Sequence, residues 1–142
     1  MRYYAVIDTN VVVSAMLKRD SIPGKIIDLV NMDVIVPLMN GEILDEYFDV
    51  LSRNKFGFTM DEVEYVLKSI NEKAMFFDRE KTFEKFIDSD DIVFYEIVLS
   101  ARTTLDAYLV TGNTKHYPIK KYVVTPREML EIIDSSFITE NI

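Results

Sequence analysis

The side chains best placed to do chemistry are acids standing at the ends of strand-like runs or at the starts of helix-like ones. Asp8 directly follows the apolar run Tyr3–Ile7 and is itself followed by Thr9 and Asn10. Glu46 has Ile43 three residues before it and Val50 four after, so helical spacing puts it on the border of an apolar stripe. Asp45 and Asp49 align instead with Glu42 on a more polar face, and Glu42, one turn earlier, is the alternative inward acid. Asp91 closes the cluster Asp88-Ser89-Asp90-Asp91 and precedes the stripe Phe94, Ile97, Val98 and Ala101, so it points toward the buried side. Asp88 and Asp90 are better placed to cap. Asn113 comes two residues after Thr111, at the end of another apolar run.

Three carboxylates in a chain with no cysteine and a single histidine suit a hard, oxygen-seeking cation, Mg²⁺ or Mn²⁺. Without a cation, clustered carboxylates repel and raise one another's pKa. Each position also has a plainer account. Asp8 suits a helix N-cap, Glu46 a solvated flank paired with Arg53, the Asp88–Asp91 acids a helix N-terminus, and Asn113 a turn. The residues alone leave both a metal site and a scatter of caps and surface acids open.

The elements that must position these groups alternate between strand and helix. Tyr3–Ile7 reads as a buried strand and 9–18 as a helix, despite the weak helix formers Val11, Val12 and Val13. Ser21 caps a helix to about Met32 with Pro23 in its first turn. Residues 34–36 form a second strand stopped by Pro37. Asn40 caps a helix to about Arg53, and Thr59 with Glu62 makes a capping box for one to about Ala74. Residues 75–77 form a weaker strand, 107–111 a fourth and 122–124 a fifth. Between the third and fourth, a helix ends near Thr104. Thr125-Pro126-Arg127-Glu128 opens the last helix, expected to end near Asp134 with a frayed tail from Ser135. Solid apolar strands alternating with helices imply a parallel sheet covered on both faces. Ligands of such sheets sit beyond the carboxyl ends of the strands, at a switch point in strand order. The four polar positions therefore gather near one sheet edge.

The 142 residues fit one domain, with 1–134 as the folded unit and 135–142 as the tail. A composition of 49% hydrophobic and 28% charged residues is globular, and the lack of cysteine excludes disulfide scaffolds, thiolate zinc sites and cysteine nucleophiles. No signal-peptide pattern opens the chain, and no run approaches the roughly 18 apolar residues of a membrane span. A cytoplasmic location with no membrane partner is the simplest expectation. The net charge of −8 argues, taken alone, against nucleic acid.

The ordered motifs resemble the PIN-domain family. They are Ala5-Val6-Ile7-Asp8-Thr9-Asn10, Glu42-Ile43-Leu44-Asp45-Glu46-Tyr47 with Val50-Leu51-Ser52-Arg53, Asp88-Ser89-Asp90-Asp91, Tyr108-Leu109-Val110-Thr111-Gly112-Asn113 with Lys115-His116-Tyr117-Pro118, and Val124-Thr125-Pro126-Arg127-Glu128. They span nearly the whole chain, and the likeness is nearest to the toxin components of toxin–antitoxin pairs. The resemblance implies a three-layer α/β/α fold around a five-stranded parallel sheet of order 3-2-1-4-5. It also implies a Mg²⁺- or Mn²⁺-dependent ribonuclease leaving 5′-phosphate and 3′-hydroxyl ends. The family's first three acids map onto Asp8, Glu46 and Asp91, and its fourth, often Asp, onto Asn113. That amide departs from the pattern and puts a second metal position in doubt.

The expected mechanism is metal-assisted hydrolysis. Asp8 and Asp91 ligate the ion, Glu46 ligates it or orients a water, and Thr9, Asn10, Thr111 and Asn113 hold carboxylates or water. Arg53, Lys55, Lys115, His116, Lys120 and Lys121 are candidate RNA phosphate contacts, against ordinary surface charge. His116 packing with Tyr117 and Pro118 is an equal alternative. An antitoxin covering the acidic site and a homodimer, suggested by aromatics in helices (Tyr47, Phe48, Tyr65, Tyr95), are the expected protein partners. The competing readings are a non-catalytic PIN-like module binding RNA or protein, and an acid-pocket phosphoacceptor domain. The second wants a further acid that Asp8-Thr9-Asn10 lacks.

Overall fold

A computed structural model describes residues 1–140. The strands are β1 (Tyr3–Ile7), β2 (Ile35–Met39), β3 (Met75–Phe76), β4 (Ala107–Val110) and β5 (Val123–Val124). The helices are α1 (Thr9–Leu17), α2 (Ile22–Asn31), α3 (Gly41–Leu51), α4 (Met60–Lys73), α5 (Ile92–Arg102) and α6 (Pro126–Glu140). All strand pairs are parallel and the order is β3-β2-β1-β4-β5. The expected sheet and its α/β/α layering are therefore present. The order reverses between β1 and β4, which makes the carboxyl ends of those two strands the switch point.

The central strands are apolar throughout because helices cover them. Ala5, Val6 and Ile7 of β1 and Leu109 and Val110 of β4 are buried, and α5 packs across β1, β2 and β4 through Phe94, Ile97 and Val98. Local signals place the helix starts. Ser21 accepts from the Gly24 amide, Asn40 from the Ile43 amide, and Thr59 exchanges hydrogen bonds with Glu62 in a complete capping box. Thr125 and Glu128 make the same reciprocal pair ahead of α6.

Two boundaries differ from expectation. Pro37 does not stop β2, which runs on to Met39. The Phe77 amide donates to the Met39 carbonyl, so Pro37 and Met39 face β3, and β3 begins only opposite Leu38. The N–H that Pro37 lacks falls where no ladder partner stands. The last helix also continues past Asp134 to Glu140. The frayed tail expected from Ser135 begins inside that helix, and residues 141–142 of it lie outside the described residues.

Of the helix aromatics, Tyr47 and Tyr95 belong to the core, while Phe48 and Tyr65 are exposed. Among the described residues no helix is long and apolar enough to cross a membrane.

Candidate active site

The carboxyl edge of the sheet gathers the acids because three elements deliver them there. Asp8 ends β1, and its amide donates to the Val110 carbonyl at 2.9 Å, which locks it beside Thr111 at the end of β4. Helix α3 starts just past the carboxyl end of β2, and its second turn carries Glu46. The adjacent Tyr47 hydroxyl donates to the Ile7 carbonyl and fastens α3 to the end of β1. Helix α5 leads by a short turn into β4, so its N-terminus, with Asp91, lies at the same edge.

Asp8 is buried and held from one side. Its Oδ2 accepts from the Thr111 hydroxyl at 2.7 Å, the Tyr117 hydroxyl at 3.1 Å and the Asn10 amide at 3.4 Å. Its Oδ1 accepts no side-chain hydrogen bond. Asp8 occupies the N-cap position of α1; its side chain makes no full capping hydrogen bond, although the Thr9 and Asn10 amides of the first turn lower its pKa. Thr9 is buried and donates to Glu46. Asn10 accepts from the Gly112 amide at 3.1 Å and so ties the start of α1 to the loop after β4.

The electrostatics agree with crowding. Burial raises the Asp8 pKa against the lowering effect of its hydrogen bonds from Thr111 and Tyr117. Burial, and then the charges of Asp8, Asp90 and Asp91, raise Glu46 despite its bond from Thr9. Asp91 is pushed up to about 6, first by desolvation and then by Asp8 and Asp88, although His116 stands 3.3 Å away. Among the described residues, no Lys or Arg pairs with any of the three. Among the described residues, no three acidic or imidazole side chains are grouped closely enough to hold an ion together as they stand.

The donor chemistry nevertheless fits a hard dication. Asp8 presents an oxygen without a side-chain donor, its carboxylate neighbours repel it, and Mg²⁺ commonly takes only one or two protein carboxylates beside water and phosphate.

Other expected positions fall elsewhere. Glu42 turns to an ion pair with Arg79 at 2.8 Å. Asp88 caps the short turn Ser89–Asp91 by accepting from the Asp90 amide. The Asn113 side chain makes no hydrogen bond to the acids; only its amide N–H takes part, donating to the Thr111 hydroxyl at 3.1 Å. Arg53 pairs with Asp49 at 3.2 Å rather than with Glu46, and both line an open cleft of about 350 Å³ with Glu46, Arg79 and Asp90. Lys55 lies over the Phe56 ring, Lys120 pairs with Glu84 at 3.4 Å, and Lys115 and Lys121 are exposed. His116 faces Asp91, which makes it a neighbour of the acids and not a free surface cation.

Two contributors were not read from the sequence. Tyr117 bonds Asp8 across 109 positions, a contact that no local pattern encodes. Glu96 is a buried acid that accepts from Arg79 at 2.7 Å and from the Thr82 amide at 2.7 Å, pinning the connection between β3 and α5. An acid amid the apolar run of α5 was the visible signal for it.

A parallel sheet of order 3-2-1-4-5 with carboxylates at its switch point is a PIN-like α/β/α arrangement, a nuclease-type fold by its family. The model of the PIN domain matches residues 4–115, and the chain belongs to the PIN-domain family. The chain is also 28% identical over 137 residues to the uncharacterized protein MJ1680 of Methanocaldococcus jannaschii, covering 89% of this chain and 88% of that one.

Proposed function

We propose that the protein is a Mg²⁺- or Mn²⁺-dependent endoribonuclease, the toxin of a toxin–antitoxin pair acting in the cytoplasm. The observation that carries the catalytic part is the convergence of Asp8, Glu46 and Asp91 at the switch point with raised pKa values and no Lys or Arg partner. Asp8 and Asp91 would hold the ion. A bound divalent ion supplies an acidified water and neutralises charge developing on the phosphate. Thr111 keeps Asp8 oriented, and Thr9 keeps Glu46 turned inward, where its carboxylate can accept a proton from attacking water. Arg53, on the rim of the cleft beside Glu46, is the cation best placed to meet a neighbouring phosphate. With so acidic a site, RNA binding would depend on the ion, and the chain's negative charge would not exclude RNA.

The test is cleavage of a panel of single-stranded and structured RNAs with Mn²⁺, by wild type and by Asp8→Asn. Cleavage by wild type that is lost in Asp8→Asn supports the reading, and full activity in Asp8→Asn would sink it. Asn113, which brings no charge and no side-chain bond to the acids, favours a second reading as a binding module. RNA retention without cleavage by the wild type would select that one. The toxin assignment draws on the sequence resemblance. It expects growth arrest on expression, relieved by Asp8→Asn, and an antitoxin that co-purifies when the adjacent reading frame is expressed too. The homodimer is checked by light scattering.

A further inference from the structure

We propose that Tyr117 is a positioning residue for Asp8 and that Phe86 holds Tyr117 in place, so that the Asp8 carboxylate is kept in the orientation in which it would meet a divalent cation. The inference rests on the ribonuclease reading above.

Thr111 and Tyr117 both donate to the same oxygen of Asp8, at 2.7 and 3.1 Å. An Asp carboxylate turns broadly about its last torsion, and two donors from separate points of the β4–β5 connection, arriving at one oxygen, restrict that turning. The Thr111 hydroxyl is itself directed, because it accepts the Asn113 amide and so has its proton free for Asp8. Tyr117 is 5% exposed, and its hydroxyl has Asp8 as its hydrogen-bond partner.

What keeps the Tyr117 ring in place comes from a distant part of the chain. Phe86 lies on the connection between β3 and α5 and meets Tyr117 edge-on, with centroids 6.0 Å apart and planes at 86°. It meets Tyr95 of α5 at 5.4 Å and 63°. That connection is anchored on both sides of Phe86. Upstream, the Thr82 amide is bonded to buried Glu96 and Tyr95 donates to Glu84; downstream, Asp88 caps the turn leading to Asp91. A segment without regular structure is thereby braced against the ring that orients the first acid.

The test measures Mn²⁺ binding by calorimetry in the full-length, metal-free protein, with melting curves for each variant. Tyr117→Phe removes only the donated hydrogen bond and is expected to weaken Mn²⁺ binding about tenfold, the usual effect of losing a group that orients a ligand. Phe86→Ala, which removes the ring packed edge-on against Tyr117, is expected to weaken it by a smaller factor while the protein remains folded. Tyr122→Phe removes another phenol hydroxyl of the same aromatic cluster, one that reaches Tyr95 and not Asp8, and is expected to bind Mn²⁺ like wild type. Equal binding by wild type, Tyr117→Phe and Phe86→Ala overturns the inference and leaves the ribonuclease reading standing. Equal weakening in Tyr122→Phe overturns it too, because the effect would then be general loosening. Absence of Mn²⁺ binding by the wild type removes the ribonuclease reading and the inference with it. Should Tyr117→Phe fail to fold, Phe86→Ala decides: weakened binding supports the proposal and unchanged binding ends it.

Discussion

The acids at the carboxyl edge of the sheet and the acids elsewhere are the same side chains in opposite electrostatic situations. Asp33, in the turn before β2, is held below the usual carboxylate range by a hydrogen bond and charge from Lys73 at 2.7 Å. Glu62 is lowered by its bonds to Thr59 at the start of α4. Both serve the fold. Asp8, Glu46 and Asp91 are raised, each first by burial, and their neighbours include one another. Glu96 is buried as well, and it has Arg79 and the Thr82 amide as partners. Among the described residues, Lys or Arg partners meet several of the acids that hold structure together, whereas the acids at the switch point have hydroxyl and amide donors and His116 but no Lys or Arg. On the proposed reading, an added dication would stabilise such a site.

The sharpest way to break this contrast is Asp8→Asn. It should lower Mn²⁺-dependent RNA cleavage on the order of 100-fold or more. The same substitution should leave the metal-free protein melting at or above wild type, because it removes a buried charge that raises its neighbours. A variant that loses both activity and stability would make Asp8 an ordinary structural acid.

Next in size is the response to the ion. Mg²⁺ or Mn²⁺ at a hundredfold excess over its Kd should stabilise the wild type by about 2.7 kcal/mol, and Asp8→Asn by much less. Differential scanning calorimetry with and without EDTA reads this directly.

The pH dependence should have opposite signs in the two regions. Asp91 has its folded pKa raised from 3.8 to about 6. Between those values the native state holds a proton that the unfolded chain has released, so this contribution to metal-free stability is complete at low pH and lost as pH rises through about 6. Asp33 and Glu62, with lowered folded pKa values, contribute stability above the ordinary carboxylate range that is lost on further acidification. Melting temperatures in EDTA should therefore fall from pH 5 to pH 7.5 relative to those in Mg²⁺. Parallel curves would count against the contrast.

The smallest effects belong to the structural acids. Thr59→Ala should lower the melting temperature by a few degrees through loss of the cap, and Lys73→Ala by less, since exposed ion pairs contribute little. Neither should alter RNA cleavage.

Much of the fold was legible because it rests on local signals. The apolar runs of β1 and β4 and the capping boxes at Thr59 and Thr125 are read over a few residues, and the structure repeats them closely. Pro37 misled because a missing N–H matters only where a neighbouring strand stands, and that is a fact of sheet register. At the site, helical spacing puts Glu46 on the border of the apolar stripe, and in the structure Thr9 donates to it. The position of Asn113 was legible and its side-chain contacts were not.

The sequence by itself determined the alternation of strands and helices, the ends at which acids occur, and the absence of thiolate ligands, because composition, period and capping are read directly or over a few residues. Only the tertiary structure decided which acids share one edge. It set Asp8 beside Thr111 through the β1–β4 pairing, turned Glu42 away to Arg79, and brought Tyr117 and Phe86 to bear on the first acid. Those contacts join residues tens of positions apart. They depend on strand order and on the path of an irregular connection, which no short window of sequence contains.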